Sequence, residues 1–125
     1  MKLFLFIIFA ATFSFAATPK KLSTSKPCEV AKIKEQEIEV IATNIANVNT
    51  TSTEEGGPYK RKTMKCRGLD CQVVAEAKFV RKYMPDHVDA DMDGYVEFPD
   101  IKVESEINKM LRASAEYDSA KIRCN

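Results

Sequence analysis

The densest group of residues that could do chemistry is an acidic segment, DADMDGYVEFPD, at positions 89–100. It resembles the loop of an EF-hand calcium site, which needs a carboxylate at loop positions 1, 3, 5 and 12 and a glycine at position 6. The four carboxylates belong to Asp89, Asp91, Asp93 and Asp100. However, position 12 is Asp rather than Glu, and Pro99 opposes the helix that should begin there. The sequence favours an acidic turn in which Asp side chains cap backbone amides, with weak calcium binding as the alternative.

Four cysteines form the second reactive group: Cys28, Cys66, Cys71 and Cys124. In an exported chain, an even number of cysteines favours disulfides, and four cysteines allow three pairings that spacing alone does not decide. Structural zinc is a rival interpretation, although Cys-x4-Cys with two distant single cysteines matches no common zinc spacing. Free or intermolecular thiols are the other alternative. A catalytic thiol would need a histidine partner, and the chain has one histidine, His87.

The first 16 residues have the anatomy of a secretory signal peptide. A short positive start precedes an almost unbroken apolar run over Leu3–Phe13, and Ser14 and Ala16 are the small residues that a signal peptidase needs. The run is shorter than the ~20 residues that span a bilayer, which disfavours the alternative of an uncleaved anchor. We expect cleavage after Ala16, export of the chain, and a flexible polar leader over 17–27.

Length and charge exclude several classes of function. The chain has 125 residues and a net charge of +1, and removing the signal leaves 18 basic against 18 acidic side chains. This balance lacks the basic footprint of a nucleic-acid binder. A chain this small buries only about 60–65% of its unfolded surface, which disfavours a deep substrate cavity. With no catalytic set of residues and no phosphate-binding loop, the sequence predicts no enzyme, no small-molecule substrate and no cofactor beyond weakly bound calcium.

Two helices should frame the mature chain. Residues 28–49 contain neither Gly nor Pro, and their apolar residues have the 3, 4, 3 spacing of a narrow seam: Ile38, Ile41, Ile45 and Val48. Residues 103–124 have a similar, partly polar seam: Ile107, Met110, Ser114, Tyr117, Lys121 and Cys124. The two seams either pack against each other or face a partner, and the pattern leaves both readings open.

Strands are expected between the helices, over 59–65, 72–83 and 94–98, with a hairpin loop at 66–71. Residues 50–57 read as a loop that ends in a Gly-Gly-Pro turn. The sequence therefore predicts an α+β fold over 28–125, in which terminal helices at 28–49 and 103–124 flank a small antiparallel β domain at 50–102.

Two blocks of the chain match a pattern of residues found in one family of proteins. The first lies at positions 41–62, and its matching residues are Asn44, Ala46, Asn47, Thr50, Gly56, Gly57, Pro58 and Tyr59. The second lies at positions 84–120, and its matching residues are Pro85, Asp89, Asp91, Asp93, Gly94, Tyr95, Val96, Pro99, Ala113, Ser114 and Tyr117. Together, the two blocks resemble the bacterial flagellar basal-body rod proteins of the proximal-rod, FlgC type. The chain differs from the family pattern in its N-terminal signal and in a shortened middle over 63–83.

The resemblance implies a structural role and a periplasmic location in the flagellar basal body. The terminal helices of such proteins pair antiparallel and stack, so the implied partners are other rod or basal-body proteins, together with self-association. The chain would be either the rod subunit or a periplasmic relative that decorates the basal body. The alternative is a secreted, disulfide-stabilised binding protein that keeps the fold.

An antiparallel pair of this kind also implies how the cysteines join. About 20 residues separate Cys28 from Val48 and Glu104 from Cys124, so each helix would extend about 30 Å and the far ends would meet. The expected disulfides are then Cys28–Cys124 and Cys66–Cys71. The surface expected to stack against neighbours is formed by Ile38, Ile41, Ile45, Ile107, Met110 and Tyr117.

Overall fold

A computed structural model describes residues 26–124 of the chain. The expected signal peptide and leader residues 17–25 lie outside the described residues. In chain order, the elements are α1 (Lys26–Ala46), β1 (Arg61–Arg67), β2 (Asp70–Glu76), β3 (Phe79–Tyr83), β4 (Tyr95–Pro99) and α2 (Val103–Cys124). Two helices packed together and flanking antiparallel strands confirm the α+β class.

Helix α1 begins two residues before its predicted start and ends three residues before its predicted end. Pro27 is tolerated in its first turn because backbone N–H groups there have no partner within the helix. Asn47 ends the helix: its side-chain amide donates to the Thr43 carbonyl at 2.8 Å. Neither helix of the described region has the length and apolar character required to cross a membrane.

The two helices lie side by side in opposite directions. A disulfide joins Cys28 near the start of α1 to Cys124 at the end of α2. At the other end of the pair, the Asn44 side-chain amide donates to the Glu106 carboxylate at 3.1 Å. The pair is therefore tied at both ends, covalently at one and by a buried polar contact at the other.

The buried seam of α2 differs from the predicted one at three of its six positions. Glu106, Ala113 and Ala120 are buried, whereas Ile107 and Lys121 are exposed. The observed seam runs through positions 106, 110, 113, 117, 120 and 124, so the predicted positions 107, 114 and 121 are wrong by one residue. Alanine side chains leave room for close packing of two helices. The small residues of α2 therefore lie in the buried seam, and the larger side chain of Ile107 lies outside it.

The strands form two separate two-stranded antiparallel sheets, β1–β2 and β3–β4. The predicted single strand over 72–83 is wrong, because the chain breaks between Glu76 and Phe79. At the break, the Lys78 N–H donates to the Glu76 carbonyl at 3.1 Å, which closes a tight turn. The alternation of small apolar and polar residues continues through the break, and this continuity is why the pattern indicates one strand.

A loop between α1 and β1 covers the second sheet. Tyr59, Val96, Phe98 and Ile101 are the buried apolar residues of this region. The Tyr59 N–H donates to the Thr50 carbonyl at 3.0 Å, which holds the loop in shape. The Thr51 hydroxyl donates to the Asp89 carboxylate at 2.7 Å and ties the loop to the acidic segment before β4.

Candidate assembly surface

The open end of the helical pair is closed by the Cys28–Cys124 disulfide, in which the two Cα atoms are 4.7 Å apart. The two cysteines are separated by 96 positions, so the bond closes nearly the whole described chain into a loop. A cross-link of this kind keeps the two helix ends together beyond the outermost buried residues of the pair, Ala31 and Ala120.

The second disulfide, Cys66–Cys71, closes the tip of the β1–β2 hairpin. The two cysteines lie directly opposite each other in the register of the strands. Only Arg67, Gly68, Leu69 and Asp70 lie between them. Gly68 has a φ of +64°, a backbone conformation that is strained for residues with a side chain. This conformation allows the tight turn between the two cysteines.

Midway along the pair, a lysine of α1 bridges the two helices. The Lys34 ammonium lies 2.7 Å from the Glu116 carboxylate of α2 and 2.8 Å from that of Glu37, one turn further along α1. Hydrogen bonds to Glu116 and then to Glu37 raise the pKa of Lys34, so the bridge is charged at neutral pH.

Asn44 forms the centre of a buried junction between α1 and β1. Its side-chain amide donates to the Lys62 carbonyl at 2.7 Å, and its oxygen accepts the Lys62 N–H at 2.8 Å. The Tyr59 hydroxyl donates to the same oxygen at 3.0 Å. Asn44 thus pairs with the backbone of β1 as a neighbouring strand would, which requires a donor and an acceptor on one short side chain.

Glu106 completes the junction from α2. The Arg61 guanidinium of β1 donates to its carboxylate at 2.6 Å and 3.2 Å, and the Lys109 ammonium lies 3.0 Å away. Burial raises the pKa of Glu106, but hydrogen bonds from Arg61, Asn44 and Lys109 outweigh it, so the pKa lies below its ordinary value. The carboxylate is therefore ionised and held by three donors.

The sequence did not predict Glu106 or Arg61 as functional positions. One signal was present: Glu106, Met110, Ala113, Tyr117, Ala120 and Cys124 have the 4, 3, 4, 3, 4 spacing of a helical seam. A charged residue in such a series requires a partner, and Arg61 is 45 positions away. The spacing does not identify that partner.

An apolar stripe on α2 faces away from the junction. Val103, Ile107 and Leu111 follow one another at intervals of four residues, and Ile122 lies three turns beyond Leu111. Ile107 is 46% exposed, Leu111 64% and Ile122 77%. No element among residues 26–124 covers these side chains, so they form the main apolar surface of the helical pair.

The predicted assembly residues divide between this stripe and the interior. Ile41 is only 4% exposed, so it stabilises the pair and is not available to a neighbouring protein, contrary to the prediction. The others apart from Ile107 are half-buried: Ile38, Ile45, Met110 and Tyr117. Of the predicted set, Ile107 is the exposed member, and it belongs to the stripe.

The motif glycines have structural roles. Gly56 and Gly57 have φ values of +87° and +71°, and the Thr53 N–H donates to the Gly57 carbonyl at 2.9 Å, so the Gly-Gly-Pro segment is a turn that leads into Tyr59. Gly94 also has a positive φ, +82°. A methyl group at Gly94 would lie 2.8 Å from the Tyr83 ring. Tyr83 and Tyr95 pack edge to face beside it.

In the acidic segment, Asp91 caps a turn. Its carboxylate accepts the Asp93 N–H at 3.0 Å and the Tyr95 N–H at 2.9 Å, and the Arg81 guanidinium donates to it at 2.6 Å. The hydrogen bond from the Tyr95 N–H is the largest cause of a lowered pKa for Asp91. In residues 26–124, no three His, Cys, Asp or Glu side chains are arranged to hold a metal ion.

These features define a class of protein, an α+β protein built on a disulfide-joined helical pair with an exposed apolar stripe. No family model matches the chain. It is 30% identical to the flagellar basal-body rod protein FlgC of Borreliella burgdorferi over 111 residues, which cover 66% of this chain and 73% of that protein. It is 28% identical over 101 residues to the protein of the same name from Agrobacterium fabrum, covering 70% and 73%. The chain belongs to the family of the flagellar basal-body rod protein FlgC.

Proposed function

We propose that the chain is a structural subunit of the bacterial flagellar basal body, located in the proximal rod or attached to it. The observation that carries the proposal is similarity to FlgC over 73% of that protein's length. Its partners would be other rod or basal-body proteins, which would contact the helical pair.

The exposed stripe of α2 supplies the contact in this proposal. Val103, Ile107 and Leu111 form an apolar row on one side of the helix, as a helix from a neighbouring subunit would require. The Cys28–Cys124 disulfide and the Asn44–Glu106 contact hold the row on a stiff support. A surface that is rigid before assembly loses less conformational entropy when it binds.

We assign no enzymatic activity and no cofactor. The His87 ring accepts the Asp89 N–H, and no hydroxyl or thiol of the described residues is hydrogen-bonded to that ring. The cleft at the junction is lined in part by Arg61, Glu76, Glu106 and Lys109, which are joined to one another in ion pairs. These contacts support a structural use of the charged residues.

The proposed location is the periplasm, reached through the N-terminal signal. The apolar run over Leu3–Phe13 and the small residues Ser14 and Ala16 support this route. Intact-mass analysis of the exported chain should give a species that begins at Ala17. A periplasmic species that retains residues 1–16 would contradict the proposed cleavage.

The assembly test uses basal bodies isolated from the source bacterium after the native gene is replaced by a variant. Leu111→Glu places a charge in the middle of the stripe and should lower the amount of the chain in basal bodies by about tenfold or more. Ser105→Glu adds the same charge on the other flank of α2, at an exposed position. It should leave incorporation unchanged. Equal incorporation of both variants would contradict the proposed surface, and absence of the unaltered chain from basal bodies would contradict the proposed function.

A further inference from the structure

Charge is strongly segregated along the chain. Residues 59–83, which include the β1–β2 hairpin and β3, contain eight Lys or Arg and two acidic residues. Residues 84–100, which form the acidic loop and β4, contain six acidic residues and no Lys or Arg. The protein is nearly neutral as a whole, yet residues 59–83 carry a net charge of +6 and residues 84–100 carry a net charge of −6.

The distal part of the hairpin, residues 62–73, is basic, although the backbone of Lys62 is hydrogen-bonded to Asn44 of α1. Lys62, Lys65 and Arg67 are exposed and form no ion pair within the described chain. Leu69 and Val73 are also exposed, so apolar side chains lie among the charges. The Cys66–Cys71 disulfide fixes the shape of this sheet end, which presents an unpartnered surface of mixed basic and apolar character.

The acidic loop, residues 86–97, has the complementary character. Asp89 and Asp91 are engaged by Thr51 and Arg81, whereas Asp86, Asp93 and Glu97 are exposed and form no ion pair among residues 26–124. Two apolar side chains project between them: Val88 is 93% exposed and Met92 is fully exposed. The loop surface therefore combines unpaired carboxylates with exposed apolar side chains, as the hairpin surface combines them with cations.

We propose that the hairpin 62–73 of one copy of the chain docks against the acidic loop 86–97 of a second copy. Charge complementarity identifies the occupant: the hairpin would pair Lys65 and Arg67, which lie on one face of β1, with the loop carboxylates, and Leu69 at the turn would meet the exposed Val88 and Met92 of the loop. The surfaces differ, so the contact is head-to-tail: the copy whose hairpin is engaged retains a free loop, and the copy whose loop is engaged retains a free hairpin. Copies therefore join in series.

This contact uses neither the α2 stripe nor any residue of the helical pair, so it goes beyond the function proposed above. The two proposals can also be refuted separately. Loss of incorporation with Leu111→Glu tests the stripe in basal bodies, whereas association of the purified chain with itself tests the hairpin and the loop.

The experiment reverses the charge of the hairpin in one variant and the charge of the acidic loop in another. The full chain is purified in three forms: unaltered, with Lys65→Glu and Arg67→Glu, and with Asp86→Lys and Asp93→Lys. Sedimentation velocity is recorded over a range of concentrations, at low salt and at high salt. Intact mass and circular dichroism establish that all three forms retain their disulfides and helices. Lys26→Glu with Lys32→Glu is the matched control, because it reverses two exposed lysines on α1.

The unaltered chain and the control should form a concentration-dependent series of oligomers that weakens with salt. Each reversed form alone should associate at least about tenfold more weakly, because like charges then face each other. An equal mixture of the two reversed forms should regain association, since opposite charges again meet. Oligomers that are insensitive to either reversal, or a mixture that stays monomeric, would overturn the proposal. An unaltered chain that is monomeric at about 100 μM would also overturn it and leave another acidic protein as the occupant of the hairpin.

Discussion

Asn44 of α1 and Glu106 of α2 are hydrogen-bonded at 3.1 Å in the interior of the helical pair, where they are only 1% and 2% exposed. Neither residue is apolar, and each is joined to strand β1, Asn44 through the backbone of Lys62 and Glu106 through Arg61. The contact therefore sets both helices against the sheet at once. Its polar groups require defined partners, so it specifies one arrangement where apolar packing alone would tolerate several.

Replacing Glu106 by Ala should destabilise the protein by about 3–5 kcal/mol, because it leaves the partly buried Arg61 and the buried amide of Asn44 without their acceptor. Urea unfolding measures this change directly. Glu104→Ala removes an exposed carboxylate in the same turn and should alter the free energy of unfolding by no more than about 0.5 kcal/mol. Similar losses in the two variants would show that the junction does not stabilise the fold.

The same carboxylate predicts how stability depends on pH. The folded-state pKa of Glu106 is lowered, so its contribution is fully present above the unfolded-state value and is lost as the pH falls through the folded-state value. Between about pH 6 and pH 3, the free energy of unfolding should fall more steeply in the unaltered protein than in Glu106→Gln, which cannot titrate there. Parallel curves for the two proteins would contradict an ionised Glu106.

The two disulfides should differ in their contribution to stability. Cys28–Cys124 joins residues 96 positions apart and Cys66–Cys71 joins residues 5 positions apart. The chain-entropy relation assigns about 4–5 kcal/mol to the first and about 2 kcal/mol to the second. Replacing each pair by serine and measuring urea unfolding tests the ranking. A larger loss from the hairpin pair would show that the helix ends are held by other contacts.

Part of this fold could be predicted from local pattern. Helix α2 has the predicted bounds, Val103–Cys124, since a regular seam without Gly or Pro extends to its last residue. The turn between β1 and β2 was also accessible, because Gly68 lies between two runs of strand-forming residues. In these places, the residues that decide the structure are neighbours in sequence.

The junction could not be predicted in the same way. Glu106 reads as one exposed acid among several until Arg61, Lys109 and Asn44 are brought around it, and two of those come from distant parts of the chain. The break between β2 and β3 was missed because a regular alternation of apolar and polar residues continues through Ala77 and Lys78, as it would in one uninterrupted strand. Periodicity therefore predicted neither the long-range partners of Glu106 nor the change of chain direction after β2.

Gly94→Ala should destabilise the protein more than Gly68→Ala. Both glycines have a positive φ, so either alanine carries a backbone cost of about 1–2 kcal/mol. At Gly94, the new methyl group would also lie 2.8 Å from the Tyr83 ring and 3.2 Å from Pro85, whereas nothing lies within 4 Å at Gly68. Thermal unfolding of the two variants separates the contributions. Equal losses would mean that the Tyr83 ring moves aside freely.

The acidic segment should bind calcium no more tightly than the ~10⁻⁴–10⁻³ M of extracellular modules. The Asp91 carboxylate already accepts two backbone N–H groups and a guanidinium hydrogen bond, and Asp89 is bonded to Thr51, so a cation would have to displace these donors. Asp100, at the twelfth loop position, also has a shorter side chain than the glutamate of a full site. Titration calorimetry of the unaltered chain, with Asp91→Asn as the comparison, measures the affinity. Micromolar binding that Asp91→Asn abolishes would overturn the assignment of this segment as a capped turn, because it would show that the carboxylates prefer the cation to the donors that now occupy them.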